Sequence, residues 1–151
     1  MKAKTLKISA IKEGTVIDHI STLNTFKVAE LLNLKDGQNV VTVGVNFESK
    51  RLGRKGVIKI GGRFLTKQEV DRIALVAPEA NINIIKGYDV TRKFSVKIPD
   101  VIHGIIKCAN PDCITNREPA KTKFHVLSRN PLKVRCHYCE RVAEKENIEL
   151  V

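Results

Sequence analysis

The chain has 151 residues, with 27 basic and 16 acidic side chains and a formal net charge of +11. That length admits one domain or two. No apolar stretch nears the roughly 20 residues a membrane helix needs, and the N-terminal MKAKTLKISAIKEG lacks the sustained apolar run of a secretory signal. Membrane insertion and secretion are therefore not expected, and a cytoplasmic location is.

The elements alternate along the first hundred residues. Leu6 and Ile8 interleave with Lys7 and Ser9, and after a turn at Glu13-Gly14 residues 16–20 resume the strand pattern. A helix is predicted next, capped by Asn24 or Thr25, with Val28, Ala29, Leu31 and Leu32 on its apolar face and Gly37 at its end. Val41, Val43, Val45 and Phe47 then alternate with Thr42, Gly44 and Asn46, the period of a half-buried strand. Residues 48–56 read as a charged turn, and Ile58-Lys59-Ile60 as a short strand that stops at Gly61-Gly62. The second helix is announced by a capping box, Thr66 with Glu69, and is followed by Val70, Ile73, Ala74 and Ala77 at helical spacing until Pro78 ends it. Residues 81–85 and 88–96 form a last strand pair joined at Lys86-Gly87. The order strand, helix, strand, strand, helix, strand predicts an α+β domain, with helices on one face of a mainly antiparallel, ferredoxin-like sheet.

Beyond a break at Pro99-Asp100 the composition changes. Cys108, Cys113, Cys136 and Cys139 are the only cysteines and fall within the last 44 residues, as Cys-x4-Cys and Cys-x2-Cys separated by 22 residues. Two short loops that each present two thiolates suit one tetrahedral zinc, and four thiolates leave no position open for a catalytic water. The zinc is thus expected to be structural, in a small all-β, zinc-ribbon-like domain. Disulfides or free buried thiols are the alternatives, and His125 and His137 lie near enough in sequence to serve as substitute ligands. A segment of about 50 residues buries too small a core to be secure alone, whereas a structural zinc contributes about 10 kcal/mol or more.

The basic surplus lies mainly outside this module, since residues 1–100 hold 18 basic and 10 acidic side chains and residues 101–151 hold 9 and 6. Such a surplus suits nucleic acid, a phosphorylated small molecule or simply a solvated surface. Five Phe, two Tyr and no Trp leave few platforms for stacking bases. No phosphate-binding glycine loop, nucleophile elbow or dinucleotide fingerprint is present, which disfavours an enzyme. Asp18-His19, Lys55, Lys59, Asn83 and Lys93 lie on or beside predicted strands. Converging lysines would suit a triphosphate, and Asp18 a ribose hydroxyl; solvated lysines and a turn or cap role for Asp18 and His19 are the plainer readings. Gly53-Arg54-Lys55-Gly56 matches the Gly-x-x-Gly loop that clamps RNA, yet it leads into a strand rather than joining helices. A zinc-ribbon nucleic-acid-binding protein is the rival reading.

Several motifs together carry a more specific likeness. Ala10-Ile11-Lys12 with residues 14–20, Gly53-Arg54-Lys55 with residues 58–60, Ala77-Pro78 with Asn83 and Tyr88, and the knuckles Cys108 to Ile114 and Cys136 to Glu140 occur in an order that resembles the regulatory chain of aspartate carbamoyltransferase. The resemblance implies a non-catalytic subunit with an allosteric nucleotide-binding domain over residues 1–97 and a zinc-binding domain over residues 98–151. It implies ATP as activator and CTP, with UTP, as inhibitor, bound by Ile8, Ser9, Ala10, Ile11, Asp18, His19, Lys55, Lys59, Asn83, Ile85, Tyr88, Val90 and Lys93. Cys108, Cys113, Cys136 and Cys139 would hold one structural Zn2+. The partners implied are the catalytic chain and a second regulatory chain, in a holoenzyme of catalytic trimers and regulatory dimers, with neither nucleic acid nor membrane.

Overall fold

The structure, a computed structural model, describes residues 11–151, so the expected strand residues Leu6 and Ile8 lie outside it. The chain divides into two compact units, the first ending at Lys97 and the second spanning Ile98–Val151.

In the first unit β1 (Gly14–Ser21) is central, and the sheet order is β2-β3-β1-β4-β5. Its partners are β2 (Val41–Ser49), β3 (Gly53–Gly61), β4 (Asn81–Lys86) and β5 (Asp89–Ser95), and every pairing is antiparallel. The crossovers through α1 (Thr22–Leu31) and α2 (Lys67–Val76) yield the ferredoxin-like arrangement, extended at one edge by the β4–β5 hairpin. Facing partners in an antiparallel sheet share a side. One side carries the row Val43, Ile58, Ile17, Ile82, Phe94, whose three central isoleucines are buried. The core forms there, with Val28 and Leu32 from the α1 segment and Ile73 and Ala74 from α2. The other side mixes Lys59, Asn83 and Lys93 with the apolar Val16, Val57 and Ile85.

Local chemistry shifts some expected boundaries. The α1 cap is Ser21 rather than Asn24 or Thr25, because β1 pairs as far as Ser21 opposite Lys55 and the helix starts directly after it. Thr25 is instead fully buried, its hydroxyl donating back to the Ser21 carbonyl at 2.9 Å, while the Asn24 amide donates to the Val76 carbonyl. The helix ends at Leu31, five residues ahead of a one-turn 3-10 segment's close at Asp36, since Asn33 takes a left-handed backbone with φ of 54°. The charged turn contracts to residues 50–52: Glu48 pairs with Arg54 and Ser49 with Gly53, so opposite charges across the strands support an extended hairpin. At α2 the capping box is complete, the Thr66 hydroxyl accepting from the Glu69 N–H and the Glu69 carboxylate from the Thr66 N–H. Tyr88 lies in the two-residue turn with Gly87 rather than in β5; both have positive φ, 60° and 69°, as a tight hairpin requires.

The second unit has a four-stranded sheet in the order β10-β9-β8-β6, from β6 (Val101–His103), β8 (Lys123–Arg129), β9 (Leu132–Cys136) and β10 (Val142–Glu144). β7 (Ile106–Lys107) pairs with β11 (Glu149–Leu150), and α3 (Ile114–Arg117) is one helical turn. Ile102, Ile105, Ile106, Phe124, Val134 and Cys136 make its small core.

Candidate functional site

Metal-ligand chemistry is concentrated in the second unit. Cys108 follows β7, Cys113 immediately precedes α3, Cys136 ends β9 and Cys139 lies in the turn beyond it. All four sulfurs fall within 4.8 Å of one another, with Cys108 to Cys139 at 3.6 Å and Cys113 to Cys136 at 3.8 Å. A disulfide needs about 2.05 Å, whereas thiolates about 2.3 Å from one tetrahedral zinc lie about 3.8 Å apart. The spacing therefore matches a shared ion and not crosslinks. Burial pushes the Cys108 thiol up to about 12; Cys139 resists the same desolvation and falls to about 7, chiefly through the backbone bond at Arg141. Burial disfavours the charged form at Cys108 and Cys136, so all four sulfurs can be thiolates only beside a compensating cation.

The knuckles are held by local bonds. The Asn110 carboxamide accepts from the Asp112 N–H at 3.0 Å, and the Asn116 amide donates to the Cys108 and Asn110 carbonyls at 2.8 and 2.7 Å. Glu140, with φ of 64°, turns the second knuckle and donates its N–H to the Cys136 carbonyl. His125 and His137 do not join the thiol cluster; their Nε2 and Nδ1 atoms lie 3.0 Å apart on the sheet's outer side.

In the first unit, the side of the sheet opposite the isoleucine row brings together most of the described residues expected around a nucleotide. Strand register places Thr42, Lys59, Val16, Asn83 and Lys93 in one cross-strand row. A second row runs through Asp18, Asn81 and Ser95. Between Ile17 and Ile20 two residues of β1 oppose one of β3, a bulge in which His19 adopts a φ of 59°. β2 has a matching irregularity between Gly44 and Phe47, with Asn46 at 67°. The β1 bulge re-aims Asp18 and His19. Asp18 meets Lys55 at 3.0 Å and accepts from the His19 N–H at 2.7 Å. Lys59 is half-buried, and desolvation lowers its pKa. The His19 pKa is lowered mainly by burial, with Asp18 opposing the effect and Lys55, Arg51 and Lys93 adding to it.

Ile85 pairs with both Gly14 and Val90, while Val90 and Tyr88 are exposed at the hairpin end. The Tyr88 N–H donates to the Lys12 carbonyl at 3.0 Å, tying the half-buried Ile11 segment to that hairpin. Ile8, Ser9 and Ala10 lie outside the described residues. Gly53, Arg54, Lys55 and Gly56 all belong to β3, so they form no RNA-clamping loop. Asn81 shares the strand period of Asn83, which puts both asparagines on one side, and it faces Ser95 on β5.

A split βαβ sheet with a cationic open face, followed by a tetrathiol module, defines a two-part binding protein with a structural metal centre. Residues 6–97 match the family described as aspartate carbamoyltransferase regulatory chain, allosteric domain, and residues 100–149 that chain's metal binding domain. Proteins called aspartate carbamoyltransferase regulatory chain are 58% identical in Pyrococcus abyssi and 57% in Pyrococcus horikoshii, each over 145 residues covering 95% of both chains. One from Phocaeicola vulgatus is 49% identical over 146 residues, covering 97% of this chain and 94% of its own. The chain belongs to the aspartate carbamoyltransferase regulatory chain family, whose members are non-catalytic subunits, and its cofactor is one structural zinc.

Proposed function

We propose that this chain is the cytoplasmic regulatory subunit through which nucleoside triphosphates control aspartate carbamoyltransferase. Residues 1–97 bind ATP as activator and CTP or UTP as inhibitor, and residues 98–151 contact the catalytic chain around zinc held by Cys108, Cys113, Cys136 and Cys139. A second regulatory chain completes a dimer within a holoenzyme of catalytic trimers and regulatory dimers. The observation that carries the reading is the row Lys59, Val16, Asn83, Lys93 beside the Asp18–Lys55 pair, all on the sheet's open side. Lys59 and Lys93 supply charge for phosphates, Asp18 accepts from ribose, and Ile11, Ile85, Tyr88 and Val90 flank the base with Ile8, Ser9 and Ala10. Family membership and the strand position of Gly53 to Gly56 both weigh against the nucleic-acid alternative.

Two nucleotides sharing one pocket can act oppositely only by binding two quaternary states with different relative affinity, and bound substrate must alter nucleotide affinity in return. The test is calorimetry and thermal shift with CTP and ATP on the zinc-loaded protein, beside a salt titration of RNA binding. A rise in melting temperature with millimolar CTP supports the reading; steeply salt-dependent RNA binding without it overturns it.

A further inference from the structure

Asn81, outside the expected contact set, reaches His19, and Ser95 in turn reaches Asn81. Asn81 is 7% exposed, and its carboxamide nitrogen lies 2.9 Å from His19 Nδ1. Behind it, the Ser95 hydroxyl donates to Asn81 Oδ1 at 2.9 Å. The three are brought together by register, since Asp18 faces Asn81 and Asn81 faces Ser95, while His19, the residue after Asp18 in the bulge, reaches Asn81 on β4.

His19 needs such support. Its backbone is left-handed at φ of 59°, an uncommon conformation for a residue with a side chain, and its N–H is committed to Asp18. Nδ1 lies 3.6 Å from Asp18 Oδ2, beyond hydrogen-bond reach, so Asn81 is its close partner. With Nδ1 so engaged, Nε2 is the ring nitrogen left for a ligand. A neutral imidazole carries a proton on only one nitrogen, so a fixed partner at Nδ1 also fixes what Nε2 offers.

We propose that Asn81, anchored by Ser95, is a positioning residue of the nucleotide site: it holds the His19 ring in one orientation and one tautomer, so that Nε2 faces the ligand in a single hydrogen-bonding state. The proposal rests on the nucleotide-binding reading above, but its first test does not need a nucleotide. Burial of the ring favours the neutral form the clamp requires, and Lys55, Arg51 and Lys93 add to that preference while Asp18 opposes it.

The experiment uses the zinc-loaded chain, with 15N-labelled histidine, as wild type, Asn81→Ala, Ser95→Ala, His19→Ala and Asn81→Ala with His19→Ala. Zinc content and melting temperature establish that each variant is folded. In the free protein, long-range 1H–15N correlations are expected to show one tautomer for His19 in the wild type and a mixture in Asn81→Ala, with Ser95→Ala between them. A His19 pattern that Asn81→Ala leaves unchanged overturns the proposal. Calorimetry with CTP should then show Asn81→Ala weakening binding by about 2- to 10-fold, the range of one hydrogen bond, and adding nothing when His19 is already alanine. Additive losses in the double variant overturn it, because a residue that acts through His19 has no effect without it. Failure of the wild type to bind CTP would instead defeat the nucleotide reading and leave the tautomer result to decide the clamp.

Discussion

Gly56→Ala should damage the first unit by an amount that can be worked from contacts. A Cβ at position 56 would lie 1.8 Å from Thr25 Oγ1 and 2.7 Å from both Thr25 Cβ and Cγ2. Thr25 has no room to yield: it is fully buried on α1, and its hydroxyl is bonded to the Ser21 carbonyl. Either the helix lifts from β3, at an overpacking cost of about 1–3 kcal/mol, or the side chain rotates and loses a hydrogen bond worth about 1 kcal/mol. If the two costs combine, the loss is about 2–4 kcal/mol. Scanning calorimetry of the zinc-loaded protein, with CD at several urea concentrations, reads the change. A second variant locates its cause, since Gly56→Ala combined with Thr25→Ala removes the hydroxyl and Cγ2 clashes and should recover a large part of the loss. CTP affinity should also fall in Gly56→Ala, because Lys55 is the adjacent residue and Lys59 lies further along the same strand. A Gly56→Ala protein within about 0.5 kcal/mol of wild type would refute the claim that close approach of α1 to β3 demands glycine there.

Lys93→Ala should weaken both CTP and ATP by about 10-fold or more, because a hydrogen bond to a charged group is worth about 1.5–3 kcal/mol, and should leave zinc content unchanged; undiminished affinity in calorimetry excludes Lys93 from the pocket. Stripping zinc with a chelator or mercurial should unfold residues 101–151 and release catalytic subunits, read by hydrogen exchange and sedimentation; an intact holoenzyme after complete metal removal refutes this. The pH response of the first unit should include His19, whose folded pKa lies below its ordinary value of 6.5 through burial and neighbouring cations. Its contribution to stability is therefore present above about pH 6.5 and is lost as pH falls through the lower folded value. His19→Gln should flatten the dependence of melting temperature on pH in that acid range, and an unchanged slope would show that His19 titrates normally.

What the sequence reveals tracks how local each cause is. The α2 boundaries follow from Thr66, Glu69 and Pro78, residues within a turn or so of the ends they set. The cysteine loops are equally readable, because a shared ion requires two short pairs whatever lies between them. The α1 boundaries are not, since Thr25 has the chemistry of a cap and serves instead as a buried spacer against Gly56, a contact 31 positions away that no helical signal encodes. The bulges at His19 and Asn46 are also hidden: each depends on how many residues β3 places opposite, and neither position carries glycine. That blindness is what concealed Asn81 and Ser95, because the residue they support reaches them only once β1 has bulged.

The energetic demands on the open face are modest. A typical coupling between sites is about 1–3 kcal/mol, or 5- to 150-fold in affinity. One or two hydrogen bonds made in one quaternary state and lost in the other supply that amount. On the proposed reading, the lysines are poorly suited to make the distinction, since every triphosphate presents them with similar charge; they supply affinity common to activator and inhibitor. Discrimination must come from groups whose bonding depends on direction. His19 is such a group, because a fixed imidazole nitrogen either donates or accepts, and a ligand displaced by less than an ångström loses that bond while keeping most of its attraction to Lys59 and Lys93. A protein in which Asn81→Ala frees the ring should therefore still bind CTP and ATP, yet show their affinities drawn closer together and their opposing effects on the catalytic chain reduced. Calorimetry beside holoenzyme activity assays measures both. Unchanged discrimination with a demonstrably freed ring would place the selective contact elsewhere, at the backbone around Ile11.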